Sequence, residues 1–196
     1  AAAKIQLNPH KVVKLYDGPI LLPNDNQRKY RNTLREIELD AVGNVYVTNA
    51  HQLNGSDILW KFEPNGVMVL RRDLDLSDPV VRAPTGMCVT SATLYLSATL
   101  YLASSLRNEA DPNSAVIYGF STKDFNLART ITVRGMHHVT SITEDPVTHS
   151  LWVTGFNLNS NPAPMMPYDP YIAEVPFWSN DVNALYISGA DDLAMP

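Results

Sequence analysis

The stretch IELDAVGNVYVTN, residues 37–49, aligns with ITEDPVTHSLWVTG, residues 142–155, with one additional residue in the second turn. Each copy contains an Asp in a turn and then a short alternating segment with an aromatic residue. The alignment pairs Asp40 with Asp145, Val42 with Val147, Tyr46 with Trp152 and Thr48 with Thr154. Alternation with a period of two residues is typical of a strand. The two copies therefore predict the same strand–turn–strand unit.

The turn residues of these units have predicted structural roles. Asp40 and Asp145 are expected to accept hydrogen bonds from backbone N–H groups two residues further on and so to fix the turn, with calcium ligation as the alternative role. His149 lies near the position that Gly43 occupies in the first copy and is predicted to be a solvated turn residue. The dipeptide Asn65-Gly66 predicts a hairpin, because these residues readily adopt positive φ angles.

Further copies of the unit follow along the chain. MCVTSATLYLSATLYLAS, residues 87–104, offers a third copy with Tyr95 or Tyr101 at the aromatic position, although its doubled TLYLSATLYLAS fits the spacing poorly. The next strand also repeats, since ILWKF at residues 58–62 aligns with VIYGF at residues 116–120. The unit reads strand, turn, strand, loop, strand, turn, strand, with a period of roughly 50 to 58 residues. Such self-similarity predicts a repeat architecture.

The composition agrees with a strand-rich chain and excludes several classes of protein. Of the 196 residues, 45% are hydrophobic and 18% are charged, below the roughly 25% charged residues of an average soluble protein. The net charge of −5 and the absence of any run of more than two Lys or Arg residues argue against nucleic-acid binding. No apolar run approaches the roughly 20 residues of a membrane span. The single Cys88 excludes an internal disulfide and Cys-based metal motifs.

DAVGNVYVTN followed by DILWKFEPNG resembles the blades of NHL-type β-propellers and of the related gluconolactonase-like propellers. Those blades carry an Asp-x-x-Gly-Asn-hydrophobic-aromatic-Val turn and then a strand that ends in a Pro-Asn-Gly or Asp-Gly hairpin. The resemblance is good over residues 37–74, fair over residues 84–156 and thin elsewhere. It implies an all-β fold, a β-propeller of four-stranded antiparallel blades.

The resemblance also implies a domain organisation. Residues 1–196 are expected to form a single propeller domain or a fragment of one, with about three and a half to four blades at this period. The predicted blades are residues 34–83, 84–135 and 136–181, with the start of another at residues 182–196. Propellers of this family usually have six blades, and an open stack would leave an unpaired edge. Remaining blades or another subunit are therefore expected to close the ring.

His137 and His138 are the leading candidates for a catalytic or metal site. They precede the first strand of a predicted blade, and in this family the starts of the innermost strands face the mouth of the central channel. A metal site needs three or four converging ligands. Adjacent residues on a strand point to opposite faces, so both imidazoles reach one ion only if the strand is bulged. The alternative is one buried, hydrogen-bonded histidine and one exposed histidine.

The resemblance leaves enzymatic activity uncertain. Gluconolactonase-like enzymes coordinate a divalent ion, but their early Glu-x-Pro-x-Trp stretch is absent from this sequence. Peptidylglycine-type lyases on the same fold use a metal and several histidines, for which His51, His137 and His138 are the counterparts. Calcium or zinc is the expected ion in either case. No Gly-x-Ser-x-Gly elbow, phosphate loop or His-Glu-x-x-His motif is present.

The segment 157–175 is predicted to contact a partner. It has four prolines in nineteen residues, and the side chains expected to make the contact are Met165, Met166, Tyr168 and Tyr171. A stiff loop offers such contact area at a low cost in conformational entropy. The alternative is a long crossing between blades that is held by packing.

A binding or scaffolding module is the favoured function, with a protein or carbohydrate partner that binds the loops and the central face. A metal-dependent lactonase- or lyase-like enzyme is the alternative. A secreted or periplasmic location is expected from the low charge and the resemblance. In a eukaryotic secretory protein, Asn54 in the sequon Asn54-Gly55-Ser56 would be a glycosylation site.

Overall fold

A computed structural model describes residues 3–7, 10–14, 33–50, 57–74, 79, 81, 84–90, 99–103, 114–158 and 168–187. In these residues the chain forms strands and turns. None of them belongs to a helix of the length and apolar character that crossing a bilayer requires. The strands are β1 Ala3–Leu7, β2 His10–Lys14, β3 Thr33–Leu39, β4 Val45–Ala50, β5 Ile58–Phe62, β6 Met68–Asp73, β7 Met87–Val89, β8 Thr99–Ala103, β9 Ser114–Ser121, β10 Leu127–Arg134, β11 His138–Glu144, β12 Leu151–Leu158, β13 Tyr168–Val175, β14 Asp181–Asn183 and β15 Leu185–Tyr186.

The strands form four sheets, and neighbours in the chain are mostly neighbours in a sheet. Strands β1 and β2 form an antiparallel hairpin. The first sheet, β3-β4-β5-β6, is a four-stranded antiparallel meander. The second sheet has the order β14-β10-β9-β8-β7, in which β14 joins β10 in parallel. The third sheet, β11-β12-β13-β15, is again antiparallel throughout.

The structure confirms the all-β class and the prediction of small antiparallel sheets, two of them four-stranded. Over the described part of the chain the sheets do not close into a ring. Strands β14 and β15 lie in the segment for which the sequence predicted the start of another blade. They form edge strands of the second and third sheets. The assignment of residues 34–83, 84–135 and 136–181 to propeller blades stays a prediction.

The first and second sheets pack face to face. Alternation along β4 points Tyr46 to one face of the first sheet and Val45 and Val47 to the other. Tyr46 and Leu59 join Phe120 and Phe125 of the second sheet in one buried cluster. The opposite face of the first sheet holds a second buried cluster, formed by Val45, Val47, Trp60 and Phe62. Ile37 and Leu39 lie on the same face and are more than half exposed.

The second and third sheets share the largest buried cluster. The second sheet contributes Cys88, Tyr101, Ala103, Ala115, Ile117, Ile131 and Val133, and the third sheet contributes Val139, Ile142, Leu151, Val153, Ala173 and Val175. Both faces of the second sheet are thus buried, because its other face packs on the first sheet. A chain of three stacked sheets follows, held by burial of apolar surface at two interfaces.

The first strands of the three sheets lie side by side. Strand β7 contacts both β3 and β11. Gly86, which precedes β7, has a φ of 82°, and a Cβ atom added to it would lie 3.2 Å from the Cα of Ser141 in β11. Only a glycine permits both that φ and that approach of two backbones. The predicted histidine site lies at the start of β11, the third of these strands.

Candidate functional site

The predicted histidine site lies at the connection between β10 and β11. Gly135 follows β10 and has a φ of 79°, and Met136 next to it is fully buried. Met136 fills the space beside Gly155 of β12, where an added Cβ atom would lie 2.5 Å from the Met136 sulfur. His137 and His138 follow, both half-buried. The backbone on either side of the two histidines is therefore fixed by packing.

Asn157 anchors this connection through its side-chain amide. Its Oδ1 accepts a hydrogen bond from the His137 N–H at 2.7 Å, and its Nδ2 donates to the Gly135 carbonyl at 2.8 Å. One amide thus bonds to the backbone on both sides of Met136, as a donor and as an acceptor. Asn157 acts as a positioning residue for His137, and its place in β12 gave no signal of that role in the sequence.

His138 begins β11 and lies opposite Phe156 of β12. The two rings stack, with 5.0 Å between their centroids and an angle of 28° between their planes. An imidazole stacked on a phenyl ring presents an aromatic surface with a polar edge, which suits contact with a ligand that is partly apolar. The pair does not supply a second metal ligand.

The described residues contain no group of three His, Cys, Asp or Glu side chains that could hold a metal ion. His51, the third predicted ligand, lies outside the described residues, and so do Asn54, Met165 and Met166. Of Tyr168 the structure describes the backbone, which begins β13. The use of His137, His138 and His51 as a joint metal site stays a prediction.

Tyr171 is the described member of the predicted partner-binding segment. It lies opposite Tyr186 of β15, with 5.6 Å between the two ring centroids, and it packs against the cluster shared by the second and third sheets. Its ring is partly buried, whereas Tyr186 is exposed. The prediction of a loop was wrong for the second half of this segment, which forms strand β13 because it pairs with β12. Its binding of a partner stays a prediction.

A second group of titratable residues lies near β7. Burial raises the pKa of the Cys88 thiol to about 12, and the negative charges of Glu38 and Glu144 also raise it. Burial also raises the pKa of Glu38, with a contribution from Glu36. A thiol with so high a pKa stays protonated at neutral pH and is a poor nucleophile. The His149 Nδ1 lies 3.0 Å from Glu144 Oε1 and orients that carboxylate.

The two Asp-containing turns confirm their predicted structural role. Asp40 Oδ1 accepts from the N–H of Val42 at 3.1 Å, and Asp145 Oδ1 accepts from the N–H of Val147 at 2.8 Å. Both bonds span two residues, as the sequence predicted. His149 adopts a φ of 57°. It shares the left-handed conformation of Gly43, whose φ is 85°.

One cation that the sequence analysis overlooked joins the second sheet to the end of the third. The Arg129 guanidinium donates to the carbonyl oxygens of Pro176 and Ser179 and, at 2.7 Å, to Asn180 Oδ1. It also donates to the Tyr101 hydroxyl at 3.1 Å. These partners lie 28 to 51 residues away in the chain, so no local pattern could have identified them.

No family model, no curated protein and no solved structure matches this chain.

Proposed function

We propose that this chain is an NHL-like β-propeller, or part of one, that acts as a binding or scaffolding module outside the cell or in the periplasm. Its ligand is a protein or a carbohydrate, which it contacts through its loops and through the central face. Remaining blades or another subunit complete the ring. The low fraction of charged residues, 18%, supports the extracytoplasmic location.

The observation that carries the proposal is the position of β7 between β3 and β11. These are the first strands of three consecutive sheets, in which β3 to β6, β7 to β10 and β11 to β13 each form an antiparallel meander. In a propeller, the first strands of the blades surround the central channel. The side-by-side order of β3, β7 and β11 is the order that this architecture requires.

The start of β11 supplies the binding surface in this proposal. His138, the first residue of β11, and Phe156 of β12 form a stacked aromatic pair. The connection before the pair is held by Asn157 and by the buried Met136. An aromatic surface on a rigid support favours binding, because little conformational freedom is lost when a ligand docks.

Arrays of glycans and of peptides, probed with the labelled protein, test the proposal. We expect a specific ligand whose binding His138→Ala weakens at least roughly tenfold, which is the loss expected for a central aromatic contact. His149→Asn is the matched control: it removes an imidazole at a turn, and Asn tolerates the left-handed φ found there. Equal binding by the wild type and His138→Ala would contradict the central face as the binding surface.

Metal analysis of the purified protein separates the proposal from the metal-dependent lactonase- or lyase-like alternative. A binding module of the proposed kind keeps its ligand affinity and its unfolding midpoint in a chelator. Stoichiometric calcium or zinc that is lost in His138→Ala would support the enzyme instead, because the imidazole would then be a ligand to the ion.

A further inference from the structure

The hairpin that joins β5 to β6 carries an Asn-Gly pair in an exposed turn. The Gly66 N–H donates to the Glu63 carbonyl at 2.8 Å, so Pro64 and Asn65 are the two central residues of the turn. Gly66 has a φ of 90°. Asn65 is exposed, and so are the two residues before it. Water and hydroxide ions therefore reach both the side-chain amide of Asn65 and the peptide bond that follows it.

The side-chain amide of Asn65 is held at both of its polar atoms. Its Oδ1 accepts a hydrogen bond from the Val67 N–H at 2.9 Å, and its Nδ2 donates to Glu63 Oε2 at 3.3 Å. A backbone N–H on a carbonyl oxygen stabilises the negative charge that develops there when a nucleophile adds to the carbon. The nearest backbone nucleophile is the nitrogen of Gly66, and glycine has no side chain to shield it. The pair thus combines an activated carbonyl carbon with an accessible nitrogen.

We propose that Asn65 is a site of spontaneous covalent modification, at which the side-chain amide becomes a carboxylate through a cyclic imide. The Gly66 nitrogen gives its proton to hydroxide and forms a bond to Cγ of Asn65. The bond between Cγ and Nδ2 then breaks, and Nδ2 leaves as ammonia. Water opens the imide ring at either of its two carbonyl carbons, and the product is aspartate or isoaspartate. The reaction consumes water, releases ammonia and changes no oxidation state.

The fold slows this reaction without preventing it. The Gly66 N–H is bonded to the Glu63 carbonyl, and that bond must break before the nitrogen loses its proton. The turn therefore has to open before the ring can close. Exposed turns open locally at a small cost in free energy, far below that of global unfolding. We expect the folded protein to react more slowly than the unfolded chain, and still to accumulate the acid form.

The two products change the hairpin differently. Aspartate places a negative charge beside Glu63 in a chain whose net charge is already −5. Isoaspartate adds the same charge and also lengthens the main chain by one carbon atom, next to a pair of strands whose register already shifts between Lys61 and Phe62. The inference does not depend on the proposed function, since it concerns a turn of the first sheet and not the start of β11.

Mass spectrometry of tryptic peptides, after incubation of the full chain in mildly alkaline buffer, measures the conversion. Cleavage after Lys61 and Arg71 releases peptide 62–71, in which Asn65 is the one Asn. Labelling with an isoaspartyl methyltransferase identifies isoaspartate in it. The acid form is expected to accumulate faster as the pH rises, because the attacking species is the deprotonated nitrogen.

Peptide 124–129, released from the same sample, is the matched control. Its one Asn, Asn126, is also exposed, and its Nδ2 donates to a carboxylate two residues earlier, Asp124 Oδ2, at 2.9 Å. The next residue is Leu127, whose side chain hinders attack by its own backbone nitrogen. We therefore expect Asn65 to react at least roughly tenfold faster than Asn126.

Asn65→Gln keeps an amide in the turn but lengthens the side chain by one carbon, so a five-membered ring no longer forms. Its peptide 62–71 is expected to show no acid form over the same time. Equal rates at Asn65 and Asn126 in the folded wild type would overturn the inference. Conversion of Asn65 that occurs in urea and not in the folded protein would do so as well, because the fold would then protect the site. Undiminished formation of acid in Asn65→Gln would identify direct hydrolysis and also overturn it.

Discussion

Tyr46 and Trp152 occupy the same position in two aligned sequence stretches, yet their surroundings differ. Tyr46 is fully buried against Phe125 of the second sheet, and its hydroxyl donates to Asp40 at 3.1 Å. Trp152 lies on the outer face of the third sheet and is partly exposed. The strands and turns around them are alike. The comparison teaches that the neighbouring sheet, and not the local sequence, decides whether an aromatic residue of this unit belongs to the core.

The largest expected effect comes from truncating the two aromatic residues. Tyr46→Ala is expected to lower the free energy of unfolding by about 3 to 5 kcal/mol, because it leaves a cavity between two sheets. Trp152→Ala is expected to cost less than about 1 kcal/mol, since its ring is partly exposed and none of the described sheets covers it. Urea unfolding below the micromolar range measures both. Equal losses would show that Trp152 is covered in solution.

Two glycines test whether the close approach of Gly86 to β11 adds to the loss of stability that a positive φ alone causes when a glycine is replaced. Gly86→Ala is expected to destabilise by about 2 to 4 kcal/mol, because φ is positive and the new Cβ atom meets the backbone of Ser141. Gly135→Ala has nearly the same φ, but the nearest atom to its Cβ is 3.8 Å away. We expect about 1 to 2 kcal/mol there, the cost of the left-handed conformation alone. Thermal unfolding of the two variants side by side measures the difference between their losses of stability. A larger loss for Gly135→Ala would show that the contact between Gly86 and Ser141 does not set the cost.

The smallest expected effect is on the pH dependence of stability, to which Asp40 and Asp145 contribute. Burial acts to raise the pKa of Asp40, but hydrogen bonds from Asn44, Tyr46 and the Val42 N–H outweigh it, so the pKa is lowered. A lowered folded-state pKa stabilises the protein above the ordinary Asp pKa, and this stabilisation is lost as the pH falls through the folded value. The variant Tyr46→Phe removes the hydrogen bond that the Tyr46 hydroxyl donates to Asp40.

We therefore expect Asp40→Asn to lower stability at pH 7 by about 1 kcal/mol, the contribution of a typical hydrogen bond, and to flatten the loss of stability between about pH 5 and pH 2. Asp145 also has a lowered pKa, through hydrogen bonds from Val147 and Thr148, but it lacks a counterpart of the Tyr46 hydroxyl. Asp145→Asn is expected to change the same pH profile less. Urea titrations at several pH values compare the two variants, and an unchanged profile in Asp40→Asn would exclude this carboxylate as a source of acid lability.

The sequence predicted the parts of the fold that depend on near neighbours. The Asp turns, the hairpin at Asn65-Gly66 and the alternation along β4 and β12 all follow from interactions within a few residues. The site was less accessible to prediction. The stacking of His138 on Phe156 spans 18 positions, the anchoring of His137 by Asn157 spans 20, and neither leaves a pattern in one sequence.

The sequence by itself determined the all-β class, the short antiparallel units and the turns that join their strands, because these rest on local backbone preferences and on alternation. Only the tertiary structure decided which faces of the sheets are buried, where β14 and β15 join, and which residues meet at the start of β11. Those outcomes depend on contacts between residues far apart in the chain. Tyr46 and Trp152 differ for that reason: the second sheet covers Tyr46, and no sheet in the described part of the chain covers Trp152.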